Sequence, residues 1–448
     1  MSLFSANWPV WAERLGLPPL RGRGGLVVAL AVDSIGTGLF LPFGIIFFLH
    51  TTSLSLTVIG AGLSAARLLA LPAPVAAGYL IGRLGARRVF ALGDLLGAIG
   101  FVGFILVSSV WELIAAAFVV SAGQAVFWTA SRTLVGEIAA PPERRSWFAL
   151  QSATRNAGFG LGGLIAAAFV SVGSRWVYLA FAAVNAVSFL ATAALVMNWR
   201  QPPAAAGAAP ERSGTKERAA EPRAGFRVLA DRALLLLSGV NLAFVMCANV
   251  LSVLLVVYIT TVLKQPAWLA VLAFTVNTLL VSLAQGVITR RSKRLSHPLA
   301  LQLAALCWAV SFFLLWYLDA APRWLLVPAL VVAVVVFSVA EMLKEPVINT
   351  VLTDIAPPGA AGRYAAGYQL SWSIGRACGP VVLTTLLAQG VLWVWLVLLV
   401  ICGLAALGVQ RMAVRLALAS PAPVPESVPA SPPDSAAQPA REEVSDGV

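Results

Sequence analysis

Charged residues interrupt the long apolar stretches of this chain at Asp33, Arg67, Arg155, Glu341, Lys344, Glu345 and Arg376. A charge at the centre of a hydrocarbon layer costs at least about 2.5 kcal/mol, so each needs a partner, water or a task. Asp33 lies roughly 12 Å into its apolar run at helical rise. Thr37, Phe40, Gly44 and Phe47 follow it at helical spacing. An acid leading an aromatic stripe suits a cavity wall that responds to protons and cations; the alternative is an Asp held by a helix end or an Arg. Arg67 sits near the middle of its run. Arg155 shares a face with Gln151, Gly158 and Gly162. Either arginine could pair with Asp33, so that protonation of the acid would free the guanidinium; a purely structural ion pair is the other reading. Glu341, Lys344 and Glu345 share one helix face at spacings of three and four. They form a locally neutralised cluster, or a second proton site if Glu341 faces a cavity. Arg376 is a further possible partner. Arg132 lies near enough to the end of its run to snorkel, a structural role.

Polar side chains form stripes on the same runs. Asn241 and Asn249 align with Ser238 and Ser252, Asn277 with Gln285, and Tyr368 clusters with Gln369 and Trp372. Trp128 offers an aromatic wall. Small-molecule pockets are mostly apolar with a few placed polar groups, and these residues fit that description; bonds between helices account for them equally well. Catalysis has little to work with. The two histidines, His50 and His297, fall at the ends of apolar runs, and Cys247, Cys307, Cys378 and Cys402 lie within runs without metal-ligand spacing. No metalloprotease, phosphate-loop or dinucleotide motif occurs. The expectation is a protein that is not an enzyme, with no cofactor and no metal site.

The elements that must position these residues are set by composition. The chain has 448 residues, 59% apolar and 11% charged, with a mean hydropathy of +0.87. Soluble domains carry about 25% charged residues, and a spanning helix needs about 20 apolar residues. Such runs recur at 25–49, 56–82, 89–109, 111–135, 147–171 and 175–197, and again at 232–262, 266–289, 298–318, 323–350, 365–388 and 391–415. Each must be helical, because an open strand in lipid leaves backbone groups unsatisfied. The first run is too long for a signal peptide core and reads as the first span.

The net charge of +12 is carried in clusters between runs, which is how a membrane protein fixes its orientation rather than how a protein grips nucleic acid. One set of loops holds Arg14, Arg21 and Arg23; Arg83, Arg87 and Arg88; Arg144 and Arg145; seven basic residues from Arg200 to Arg232; Arg290, Arg291, Lys293 and Arg294; Arg363; and Arg411, Arg415 and Arg441. The other set holds only Arg175, Lys264 and Arg323. Both termini are therefore expected in the cytoplasm of a cell-membrane protein with an even number of spans. The organisation is a cytoplasmic segment 1–24, a six-helix bundle 25–197, a linker 198–231, a second bundle 232–415 and a disordered tail 416–448. The linker and tail are rich in Ala, Pro and charged residues, without the means to bury a core.

The halves echo each other. Glu137-Ile-Ala-Ala-Pro-Pro closes the fourth run and Asp354-Ile-Ala-Pro-Pro the tenth, and Gly158 and Gly162 follow the first acid at the spacing with which Gly375 and Gly379 follow the second. Parallel repeats are a known design for alternating access. Between the second and third runs, Gly78-Tyr-Leu-Ile-Gly-Arg-Leu-Gly-Ala-Arg-Arg88 resembles the signature loop of the major facilitator superfamily through Gly78, Leu80, Arg83, Gly85, Arg87 and Arg88. Gly82 stands where the family has Asp. Ile35-Gly36 with Pro42, and Gly158 to Gly163, resemble parts of motifs from the drug–proton antiporter branch; the usual Pro is absent from the latter, and Val119 replaces the Arg expected before Gly123.

The resemblance implies the all-α major facilitator fold, twelve helices in two pseudo-symmetric six-helix bundles, with the Gly78–Arg88 loop as a gating element. It implies a monomeric secondary transporter in the lipid bilayer that moves a small-molecule substrate with protons as coupling ion. Efflux of an amphiphilic molecule leads, since the aromatic stripe after Asp33 favours such a cargo and sugars or phosphorylated substrates would call for more intramembrane charge. Alternatives are a proton-coupled importer, or a scaffold or sensor that transports nothing.

Overall fold

In the computed structural model, residues 16–20, 22–40, 43–170, 174–199, 231–266 and 268–419 are described, and all regular structure among them is helical. Among these residues nine single helices are long and apolar enough to cross a bilayer. They are span three (Ala86–Leu106), four (Val110–Ile138), six (Arg175–Asn198), seven (Arg232–Val262), eight (Trp268–Ser292), nine (His297–Tyr317), ten (Arg323–Ile355), eleven (Ala361–Gln389) and twelve (Val391–Ala419). Two further crossings are broken. Span one is Gly24–Phe40 followed by Gly44–Thr51, and span two is Leu56–Leu69 followed by Ala73–Leu84, bent by 41°. Pro72 and Pro74 lie at the second break, where two missing backbone donors prevent a continuous ladder.

Span five, Arg144–Val170, expected at 147–171, has 27 residues but is more polar than the nine. The cause is its position. It packs on span one on one side and on spans eight and ten on the other, so much of it never meets lipid. Span twelve runs on to Ala419, into the segment read as tail. The remainder of that tail, residues 200–230 of the linker, Arg14, Arg21 and Pro42 lie outside the described residues.

The two halves pack by the same scheme. Span three pairs with four, one with five, one with six, three with six and two with four; each pairing recurs six spans later, as nine with ten, seven with eleven, seven with twelve, nine with twelve and eight with ten. The repeated glycines hold equivalent contacts. A methyl at Gly162 would lie 2.3 Å from the Ile35 carbonyl of span one, and one at Gly379 would lie 2.1 Å from Asn249 of span seven. Their partners Gly158 and Gly375 press on Ser34 and Val245. Small residues let spans one and five approach to backbone contact, while Gly375 and Gly379 make room for the Val245 and Asn249 side chains of span seven.

Each half has its own aromatic core. Phe40, Phe47, Phe101 and Phe104 interlock in the first, with Phe40 and Phe101 centroids 4.7 Å apart. Trp308, Phe312, Phe337 and Trp395 fill the second. Phe40 belongs to this packed core, so its expected place on a cavity wall is corrected: the stripe after Asp33 faces its own bundle.

One end of the bundle carries Arg83, Arg87, Arg144, Arg145, Arg290 and Arg291, and is called the basic end below. At the other end, spans four, six, eight, ten and twelve each begin with an exposed tryptophan: Trp111, Trp176, Trp268, Trp324 and Trp393. Such a ring marks a membrane interface, where an amphipathic indole is best placed.

Candidate functional site

The halves meet through spans five with eight and ten, and spans eleven with two and four. At the basic end the contact is tight. Arg144 pairs with Asp354 at 2.5 Å. Arg145 donates to Ser292 Oγ at 2.9 Å. A methyl on Gly78 would strike Ala366 at 2.8 Å, and one on Gly362 would strike Ile81 at 2.7 Å. Within the signature-like loop, Gly78 makes this contact between lobes. Arg87 instead donates to the Val196 carbonyl at 2.9 Å, and to that of Met197, ending span six within its own lobe. Arg83 lies 4.3 Å over Tyr79, and Gly85 supplies a turn at φ 83 between spans two and three. Arg88 is exposed.

Deeper in, charged side chains from both lobes converge. Arg132 of span four is 5% exposed. Its Nε donates to Asn349 Oδ1 at 3.0 Å and its Nη1 to Gln369 Oε1 at 2.5 Å, both in the other lobe. Tyr368, itself fully buried, stacks 5.0 Å from the guanidinium. The snorkelling expected of Arg132 is thus replaced by a bridge between lobes. A guanidinium has five fixed donors, and the hydrogen bonds of Arg132 go to neutral acceptors, Asn349, Gln369 and the Trp128 carbonyl.

Arg155 lies 5.2 Å over Trp128, and Arg376 lies 4.8 Å over Trp372. Arg376 is within electrostatic reach of Arg155 and Arg67 across the lobe boundary, and less strongly of Glu341 and Glu345. Lys344 pairs with Glu345 at 2.8 Å, while Glu341 accepts from Asn277 Nδ2 at 2.7 Å. A small cleft, with room for about one water molecule, opens between spans four, five and ten, lined by Trp128, Arg132, Gln151, Arg155, Glu345 and Asn349 among others. Gln151 is held on its wall by donating to Ser131 at 2.6 Å.

Other expected site residues lie elsewhere. Asn241 donates to Ser371 Oγ at 2.9 Å and Asn249 to the Gly375 carbonyl at 3.0 Å, both buried between spans seven and eleven. They tie one lobe together; the placement on a substrate wall is corrected. Asp33 is 7% exposed inside the first lobe, and among the described residues it forms no ion pair with Arg67 or Arg155. Its electrostatic neighbour is Asp94 of span three, which is 2% exposed with Oδ2 lacking a hydrogen-bond partner. Asp94 went unread in the sequence, although the test applied to Asp33, an acid two turns into an apolar run, would have found it.

This arrangement can be set beside known proteins. The sequence profile described as Major Facilitator Superfamily matches residues 26–380, and again 272–446. The chain belongs to that superfamily. It is 24% identical over 357 residues to YttB, an uncharacterized MFS-type transporter of Bacillus subtilis (strain 168), covering 79% of this chain and 85% of the relative. Its fold is similar to a bacterial homologue of the iron transporter ferroportin in an outward-facing state, with TM-score 0.70 and 14% identity over 88% of this chain and all of the other. The human organic anion transporter MFSD10 (TETRAN) gives 0.62 and 17%, over 88% of this chain and all of the other. The E. coli fucose:proton symporter FucP gives 0.60 and 15%, over 87% and 98%. This superfamily member is a multi-pass membrane transporter, not an enzyme, and the all-α, two-bundle fold expected from the sequence is the one observed.

Proposed function

We propose that this protein is a proton-coupled secondary transporter that exports an amphiphilic small molecule by alternating access about the charged layer between its lobes. One observation carries the reading: the lobes are locked at the basic end by Arg144–Asp354 and the Gly78–Gly362 contact, while Arg67, Arg155 and Arg376 come together beyond that seal. A central site sealed on one side is one of the two states that alternating access requires. The excess of basic residues at the sealed end supports a cytoplasmic orientation for it in a cell-membrane protein. Asp33 takes the role of proton carrier, with Glu341 as a second candidate, and the working unit is a monomer.

The test is flux in vesicles containing the intact chain under an imposed pH gradient. Substrate movement that dissipates the gradient supports the reading. Movement indifferent to the gradient removes proton coupling, and no movement under any gradient removes transport of the substances tried. Asp33→Asn is expected to abolish the gradient dependence while leaving counterflow of substrate.

A further inference from the structure

Five cationic side chains, Arg67, Arg132, Arg155, Lys344 and Arg376, surround the space between the lobes, against two carboxylates, Glu341 and Glu345. Much of this charge is already used. Lys344 and Glu345 neutralise each other at 2.8 Å. Arg132 has Asn349 and Gln369. What remains is Arg67, Arg155 and Arg376 with Glu341, whose carboxylate also accepts from Asn277. Among the described residues none of the three arginines has a hydrogen bond or a carboxylate within ion-pair distance. Arg155 and Arg376 lie over the faces of Trp128 and Trp372.

Like charges converging within a low-dielectric wall repel one another, and without counter-charge the arrangement is costly. A guanidinium stacked on an indole keeps its in-plane N–H fork free, and that fork matches the two oxygens of a carboxylate, sulfonate or phosphate. The two indoles meanwhile provide flat apolar walls on opposite lobes. The expectation of a cation-responsive, largely apolar cavity is reversed by this charge balance.

We propose that the space between Arg155 and Arg376 binds an organic anion, its acid group held by the two guanidiniums and its aromatic or other apolar body set against Trp128 and Trp372. Because the two arginines come from opposite lobes, the anion draws the lobes together, which ties its binding to the motion that carries it. The inference rests on reading this space as the substrate site of a transporter.

Two permanently charged probes with one ring system separate the outcomes: 2-naphthalenesulfonate and a naphthyl trimethylammonium. Each is assayed by counterflow with the full chain in liposomes, and by quenching of tryptophan fluorescence in nanodiscs. The sulfonate is expected to bind and exchange, and the ammonium to do neither. Arg155→Gln and Arg376→Gln should each weaken sulfonate binding tenfold or more, with the Lys substitution at either site restoring part of it. Exchange of the ammonium but not the sulfonate overturns the anion assignment and leaves the transporter reading standing. If neither probe binds or moves, the anion assignment falls, while the transporter reading is judged by the pH-gradient flux assay. If the sulfonate binds equally well to both Gln variants, the acid group is not seated here and the assignment is wrong.

Discussion

Arg144 of span five and Asp354 of span ten stand 2.5 Å apart across the boundary between the lobes. Asp354 is the repeat mate of Glu137, so the acid that closes the second half of the repeat is bound by the half it does not belong to. The pair is partly exposed, with side chains 14% and 39% accessible, and such pairs contribute about 0–1 kcal/mol. Arg144→Gln should therefore loosen the seal by a factor of up to about five in population. Spin labels at Gly82 and Pro358, measured by pulsed dipolar spectroscopy, should show a greater share of long distances. The charge reversal Arg144→Asp with Asp354→Arg should return the distribution toward that of the parent.

The glycine repeat makes a paired prediction. Gly162→Ala and Gly379→Ala place methyls 2.3 and 2.1 Å from span one and span seven. Overpacking of this kind costs about 1–3 kcal/mol. Gly82→Ala meets nothing within 4 Å and should leave stability unchanged or slightly improved. Thermal unfolding in detergent checks all three. A larger loss is expected at Gly162, where the methyl meets backbone atoms of span one, than at Gly379, where it meets the Asn249 side chain, which can shift.

At the start of span seven, Asp231 accepts from the Ala233 and Leu234 amides at 2.7 and 3.3 Å and from the Tyr364 hydroxyl at 2.7 Å. The tyrosine hydroxyl bond, followed by the amides, holds the Asp231 carboxyl below its ordinary value. A carboxyl depressed in the folded state stabilises the fold above its unfolded pKa, and that contribution is lost as pH falls through the folded value. The melting-temperature gap between the parent and Tyr364→Phe should thus be present near neutrality and close below about pH 4. Asp231→Ala removes the helix cap as well and should cost about 1 kcal/mol at neutral pH.

The fold was legible because lipid leaves the backbone little choice. Apolar runs of spanning length must be helices, and the Glu137 and Asp354 motifs set the two halves in register. The breaks in spans one and two were less visible, since hydropathy does not register where a ladder fails. The site was harder for a related reason. Depth along a helix can be counted from sequence, but azimuth cannot, and azimuth decided the outcome. Arg132 looked close enough to the surface to snorkel, yet it points into the other lobe. Phe40, Asn241 and Asn249 had the right depth and the wrong face. The tryptophans that open spans four, six, eight, ten and twelve were available in the sequence, and become legible as one belt once the helix starts are known.

The last prediction concerns Asp94, which lies at nearly the same depth as Asp33 on a neighbouring helix, roughly 12 Å from the basic end in each case. The two acids lie within electrostatic reach of each other, and one turn beyond Asp33 the chain is pressed against Ser188 and Asn185 of span six at Gly36. If protons are carried at Asp33, they are carried by the pair, because groups this close do not act independently. Asp94→Asn should then impair pH-gradient-driven flux about as severely as Asp33→Asn, and the double variant should be no worse than either. Substrate-induced proton release, followed with a pH dye in detergent, should vanish in all three. Full proton release from Asp94→Asn with none from Asp33→Asn would assign Asp94 to packing alone. Additive losses would mean that the two acids serve separate steps.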